Sequence, residues 1–494
     1  MRTGVWLVTS VCIALSAPSA AASEMETLKR ELQQLRNAYE SRIDALEKRL
    51  AEVSKAQDAT EVKLESQAKA KRNSRLSDVS FNPNISVVLD GAYYTDDVGG
   101  TGSEVANEAF RASHAGGHGA GEEEAHGHGV FERGFNIREI EVGMGAAVDP
   151  YFDAQSFISI SSNGTIELEE AYARTLSLPA GLQIKLGKFF SDISRHNRMH
   201  PHEWDWADQT LAYQNLFGEE GNLRDVGAQV TWVPPTPFFS QVGVEVFQGE
   251  QGAFGAHVEG AARESAATAI DNALGNPGVD AAALGLSGKE SAPRLLAAFA
   301  RVGPDLGPKH GVQFGAWGAH TSQHQEIQEI EEPDEALVLQ GDGYMWGVDA
   351  VYKYSSGRAS GHGDLVLQGE YLRQHLDTRI TFSADAPATV GQSRELVTDG
   401  MYLQGWYGLW PQWRVGVRYD LLGMTNEVRG PLGTTGIDDS SRLSLALTWS
   451  PTEFSRFRLQ GNFADIQGED GATEFDSIFL QYSFTFGSHP AHKF

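Results

Sequence analysis

Of the 494 residues only one, Cys12, is a cysteine. It sits inside the leading apolar run, so disulfide frameworks and thiol chemistry are excluded from the chain that follows. Beyond that leader there is no stretch of about 18 consecutive apolar residues, which excludes helical membrane spans. Basic residues are scarce: 39 Lys and Arg against 66 Asp and Glu give a formal net charge of -27 at pH 7. That balance argues against nucleic acid as a partner. No motif of the G-x-S-x-G kind positions a serine nucleophile, and no other catalytic set emerges, so an enzyme is not expected.

What is present starts with the leader. "MRTGVWLVTSVCIALSAPSAAASE" carries one positive charge at Arg2, an apolar run, then small residues with Ala20 and Ala22 in an A-x-A spacing. It reads as a secretory signal peptide over residues 1–22, whose removal deepens the acidic excess. The remainder combines 54 glycines and 10% aromatic residues with a negative mean hydropathy. A transmembrane β-barrel has this composition, because alternation of apolar and polar residues dilutes the hydropathy of each span.

Residues 23–74 form a separate region. From 24 to 72 there is no Gly or Pro, and apolar residues recur at Met25, Leu28, Leu32, Leu35, Tyr39, Ile43, Leu46, Leu50 and Val53. Steps of three and four with one stutter predict a short coiled coil, with a single solvated helix as the alternative. So narrow an apolar stripe needs partner helices to cover it, which predicts an oligomer.

From residue 82 the period becomes two. In "SIFLQYSFTFG", Ile478, Leu480, Tyr482, Phe484 and Phe486 share one face, and Phe479, Gln481, Ser483 and Thr485 the other. Sixteen such segments fall near 82–94, 135–148, 151–162, 165–177, 181–190, 223–233, 238–248, 293–303, 311–320, 343–354, 362–374, 399–409, 413–423, 441–450, 454–465 and 475–487. Links after even-numbered segments are short, such as "DP", "PAG" and "LWPQ". Links after odd-numbered ones are long: 95–134, 191–222, 249–292, 321–342 and 375–398. Short turns on one rim and long loops on the other mark an outer-membrane barrel, and an even strand number leaves no free edge. The predicted fold is all-β: a 16-stranded antiparallel transmembrane β-barrel over 82–494 in the outer membrane of a Gram-negative cell, with an N-terminal coiled-coil helix in the periplasm. Trp232, Phe238, Trp410, Trp413, Trp449 and Phe454 lie beside the short turns as an interfacial girdle.

The stretches "IREIEVGMGAAVDPYFDAQSFI", "IELEEAYARTLSLPAGLQIKLGKFF", "GNLRDVGAQVTW" and "FLQYSFTFG" resemble the phosphate-selective porin family (porin O/P-like), trimeric sixteen-stranded channels. More narrowly, "WSPTEFSRFRLQ" with the terminal "AHKF" is similar to histidine-rich porin-like proteins described as zinc-regulated outer-membrane proteins. The resemblance implies a homotrimer in outer-membrane lipid that passes small hydrophilic solutes or ions by passive diffusion. It does not extend to phosphate, because the inward positions mix Lys185, Arg414, Arg418, Arg456 and Arg458 with Asp225, Asp349, Glu370 and Asp420.

The resemblance also implies that the long loop 191–222 folds inward as the constriction, bringing Arg195, His196, Arg198, His200, His202, Glu203, Asp205 and Asp208 to the pore; fixed charges there filter ions by field and size. A packed rim loop is the alternative. In "SHAGGHGAGEEEAHGHG", His114, His118, His126 and His128 flank Glu122, Glu123 and Glu124, while His320 and His324 sit in another acidic stretch. Imidazole and carboxylate together suit divalent metal, zinc first. Alternating glycines make any such capture weak, and a solvated loop without ligand is the alternative. No cofactor is required. Two other readings remain: a metal-binding or adhesion protein anchored by a barrel, and a zinc-uptake receptor-like transporter.

Overall fold

The computed structural model describes residue 33 and residues 84–487, apart from 107–130, 163, 218–220, 250–253, 255–259, 276–277, 281, 287–292, 329–335, 432, 437 and 469–470. The signal peptide, the coiled coil and the histidine-rich stretch 113–129 lie outside the described residues. The chain divides into a unit of residues 1–80 and a unit of residues 81–494, and all described strands belong to the second.

The strands are β1 (Asn84–Asp96), β2 (Gly134–Ala147), β3 (Phe152–Ile160), β4 (Ile166–Thr175), β5 (Leu182–Phe190), β6 (Arg224–Trp232), β7 (Phe239–Phe247), β8 (Leu295–Gly303) and β9 (His310–Gln328). They continue with β10 (Leu337–Tyr354), β11 (Leu365–Ser383), β12 (Ser393–Trp410), β13 (Trp413–Leu422), β14 (Glu427–Gly430), β15 (Gly433–Gly436), β16 (Ser440–Thr452), β17 (Ser455–Gly468) and β18 (Gly471–Gly487). Each wall strand pairs antiparallel with its neighbours in chain order. The last returns to the first, with Ser86 opposite Gly487 and Asp96 opposite Ser477. β14 and β15 are a short hairpin set beside β12, whereas β13 pairs directly with β16. The wall is therefore a closed barrel of sixteen strands.

Alternation decides which side chains face where. On β18, Ile478, Leu480, Phe484 and Phe486 are exposed on the outside, while Phe479, Gln481 and Ser483 are buried within. Leu443, Leu445, Leu459 and Phe463 extend the same outer surface, and Trp232, Phe238, Trp410, Trp449 and Phe454 are exposed beside the short turns. An apolar outside over a polar inside is the pattern of a membrane-spanning barrel. The tight turns need particular backbone. Gln412 holds the β12–β13 turn at φ 70° and is steadied by donating its amide to Ser360 O (3.0 Å) and its Nε2–H to Pro451 O (2.8 Å). Gly187, at φ 136°, lets β5 pass close to β4, since a Cβ there would lie 2.1 Å from Ala171 O.

Two of the expected loops are partly strand. Residues 321–342 and 375–398 are not loops throughout: β9 runs to Gln328, β10 starts at Leu337, β11 runs to Ser383 and β12 starts at Ser393. These strand ends are rich in Gln, Glu, His and Thr, because the lipid-facing alternation that marks a strand stops being required where pairing continues past the apolar surface. The loop 249–292 contains a helix, Gly260–Leu274, and the link after β13 contains the β14–β15 hairpin. Neither has an apolar stripe strong enough to be read in advance.

Leu480, exposed midway along β18 opposite Leu459, provides a test of the outer surface. Leu480→Arg is expected to lower the unfolding free energy in lipid vesicles by about 2–4 kcal/mol, read from a denaturant titration; an unchanged midpoint would remove Leu480 from the lipid-facing surface.

Candidate functional site

Inside the barrel lies the segment between β5 and β6. Asn197 closes its base: Nδ2 donates to Ser191 O (2.8 Å) and Leu223 O (2.9 Å), and Oδ1 accepts from the Leu223 amide (2.7 Å). The segment then makes a 3-10 turn, Pro201–Glu203, and a short helix α1 (Leu211–Phe217) whose residues are all buried. Apolar side chains pack against it from the wall, among them Phe189, Phe247, Phe299, Trp317, Met345 and Leu372.

One side of the wall is basic. Arg138 on β2 donates to Ala207 O (2.8 Å) and Pro201 O (2.9 Å), Arg456 on β17 to His202 O, and Arg458 to Trp204 O (3.3 Å). Arg418 on β13 donates to Asp208 O (3.2 Å) and Arg442 on β16 to Gln209 O (2.5 Å). Asp208 is the centre of this grip. Its carboxylate meets Arg418 (2.7 Å) and Arg442 (3.0 Å), and accepts from Gln460 (2.7 Å) and Asn462 (2.8 Å). Asp205 meets Arg414 at 3.2 Å and Arg195 at 3.8 Å. Burial opposes ionisation of both acids, but these arginines outweigh it and lower each pKa to about 2. Burial lowers His196 to about 4, its ring beside Gln209 and among Trp204, Tyr213 and Tyr402. It is a neutral packing residue at physiological pH.

The opposite side is acidic, and two β-bulges make it so. Between β3 and β4 the register steps from Phe157↔Glu170 to Ile158↔Leu168, so that Glu169 and Glu170 both turn inward. Between β1 and β2 it steps from Asp90↔Glu139 to Gly91↔Ile137, which turns Arg138 and Glu139 inward together. Bulges re-aim side chains in this way. His200 enters this acidic corner with Nδ1 2.9 Å from both Glu141 and Glu169 and Nε2 3.0 Å from Glu170. His202 Nδ1 lies 3.2 Å from Glu139 and 3.5 Å from Glu141. Burial works against protonation of His200, but the surrounding carboxylates raise its pKa well above the usual value.

A third part of the lumen is formed by β8–β10 and the start of the segment. Arg301 Nε and Nη2, Gln313 Oε1 and both carboxylate oxygens of Asp349 are buried without a protein hydrogen bond. Arg198 and Arg195 from the segment act electrostatically on Asp349 together with Arg301.

Of the residues singled out in sequence, Arg195, His196, Arg198, His200, His202, Glu203 and Asp205 are brought together in the lumen. Lys185 faces inward on β5, 3.5 Å from Asp192. Arg414, Arg418, Arg456 and Arg458 also face inward, but they are engaged in holding the segment. His114, His118, Glu122, Glu123, Glu124, His126 and His128 lie outside the described residues. His320 and His324 are corrected: both are on β9 rather than in a loop, His320 exposed with Nδ1 3.0 Å from Gly343 O, and His324 buried beside Glu326 (3.3 Å). Glu139, Glu141 and Glu169 were missed, although acids two apart in "EIE" and "ELE" are the signal of an inward strand face. Glu170 and Arg138 depend on the bulges and carry no such signal.

No family model matches the chain. An uncharacterized protein of Aquifex aeolicus (strain VF5) is 32% identical over 443 residues, 87% of this chain and 84% of that one. Solved structures similar to it include an outer membrane protein of Vibrio cholerae, the loop L8 deletion mutant of OmpT, at TM-score 0.46 and 9% identity, covering 82% of this chain and 99% of that one. Another is the OprB of Pseudomonas putida, at TM-score 0.45 and 11% identity, covering 82% and 94%.

Asp208→Asn takes one of two buried carboxylates from Arg418 and Arg442, leaving them Asp420, and is expected to cost about 1–3 kcal/mol, the scale for a buried polar group that loses a partner, in barrel unfolding; unchanged stability would show that Asp208 is not the anchor. Because the pKa values of Asp205 and Asp208 are lowered, their contribution is complete above the ordinary carboxylate range near about 4 and is lost as pH falls toward about 2. Tryptophan fluorescence, with Trp204 and Trp206 on the segment, is expected to stay constant from neutral pH to about 4 and to change below it.

Proposed function

The chain belongs to one family with the uncharacterized Aquifex aeolicus protein, and we propose that it is an outer-membrane porin, a passive channel for small hydrophilic solutes or ions. The observation that carries this reading is a closed barrel whose outer face is apolar and whose inner face is polar and charged. Arg195, Arg198 and Arg301 act on Asp349 and so place fixed charges of both signs in the lumen, the arrangement that filters ions by field. In this reading the segment 191–217 is the constriction, and the arginines of β13, β16 and β17 set its position rather than lining the path. Phosphate is not proposed as the solute.

The narrow apolar seam of residues 24–72 supports a homotrimer held partly by a periplasmic coiled coil. The composition of 113–129 supports weak capture of divalent cations at the outer rim. A barrel that merely anchors binding or adhesive loops is the competing reading, and conductance separates the two.

In planar bilayers the purified protein is expected to give stepwise single-channel currents; silence would leave the anchored-loop reading. In a salt gradient, Asp349→Asn is expected to shift the reversal potential toward anion preference and Arg301→Gln toward cation preference, each by several millivolts or more. Shifts of the same sign, or none, would place the ion path elsewhere.

A further inference from the structure

We propose that His200, Glu141 and Glu169 form a binding site for one divalent transition-metal ion of the zinc type, which fastens the lumen segment to the wall at β2 and β4. Nδ1 of His200 and one carboxylate oxygen from each glutamate lie within 4.8 Å of one another, and all three residues are buried. The three come from the segment and from two strands that do not pair with each other, so an ion there joins elements the barrel hydrogen bonds leave separate.

The histidine is held as a ligand would be. Glu170 lies 3.0 Å from Nε2. By accepting the Nε2 proton it leaves Nδ1 to the ion: a metal that displaces the Nδ1 proton to solvent meets a lone pair pointing between Glu141 and Glu169. A carboxylate on the far nitrogen of a ligating imidazole is the usual support of a metal-bound histidine. Glu141 Oε2 is buried, 2.9 Å from His200 Nδ1 and 3.5 Å from His202 Nδ1. Ser159, directly across from Glu141 in register and 1% exposed, has its Oγ without a hydrogen bond.

A single proton on Nδ1 serves one of two equidistant carboxylates well, whereas a divalent ion serves both. Zinc takes imidazole nitrogen and carboxylate oxygen at about 2.0–2.2 Å, which puts neighbouring donors roughly 3.3 Å apart in a tetrahedral shell. The present 2.9 Å separations open to that value with small side-chain rotations. His202, with Nδ1 3.5 Å from Glu141 Oε2, is a second imidazole at the same corner. The charges agree: four glutamates, Glu139, Glu141, Glu169 and Glu170, surround two imidazoles, with the Arg224 guanidinium 3.7 Å from Glu169.

The full chain, stripped with chelator, is titrated with Zn²⁺ by calorimetry, and crystals grown with Zn²⁺ are measured at the zinc edge. The wild type is expected to bind one tight equivalent and to give an anomalous peak between His200, Glu141 and Glu169. The pair Glu141→Gln and Glu169→Gln is expected to lose that equivalent while keeping any weak heat from residues 113–129, which it retains. Glu170→Gln, which leaves all three ligands in place, is expected to weaken binding by roughly 10–100-fold, and it decides the matter if the double variant fails to fold. Equal titrations for wild type and Glu170→Gln, or a zinc peak elsewhere with these three side chains bare, would overturn the proposal. Conductance plays no part in the readout, so the outcome is independent of the channel reading.

Discussion

Closure of the sheet is the constraint from which the rest of this structure follows. Within hydrocarbon an unpaired strand edge leaves a row of backbone amides and carbonyls without partners, each costing several kcal/mol. The pairing of β1 with β18 removes that edge. Once the sheet is closed, alternate residues have only two places to go. Leucines and aromatics such as Leu445, Leu459 and Phe486 go outward to lipid, and Arg418, Arg458 and Gln481 go inward.

Closure also creates the problem that the interior solves. A ring of inward charges inside a membrane must be hydrated or paired. This barrel pairs them, in different ways in different sectors. At β13–β17 and β2 the arginines are paired with the carbonyls and carboxylates of the segment 191–209. At β2–β4 the acids are matched by the two histidines of the same segment. The segment is thus clamped by opposite charges at its two sides, while at β8–β10 Arg301 and the segment's Arg195 and Arg198 act on the buried Asp349.

Strand positions were largely legible because lipid imposes period two on every span. "SIFLQYSFTFG" and "RLSLALTWS" announce themselves, and the sixteen predicted segments correspond to the sixteen wall strands. Where strands leave the apolar zone that signal stops, and the outer ends of β9–β12 were read as loops. The site was legible in part. The segment 191–222 declares its charged and histidine content, yet its partners are hundreds of residues away on the chain, as with Asp208 and Asn462. The acids opposite His200 are visible as "EIE" and "ELEE", but only the bulges at Arg138 and Glu169 explain why adjacent residues point the same way.

The sequence by itself determined the class of fold, the strand number and which residues face lipid, because each of these depends on local alternation and on the lengths of links. The tertiary structure decided which inward charges meet. It assigned the arginines of β13, β16 and β17 to holding the segment, gathered His200 with Glu141 and Glu169, and set Arg195, Arg198 and Arg301 around Asp349. The physical reason is that electrostatic pairing depends on distance in space, and only the closing of the barrel and the turning of its inner segment bring those distances down to a few ångströms.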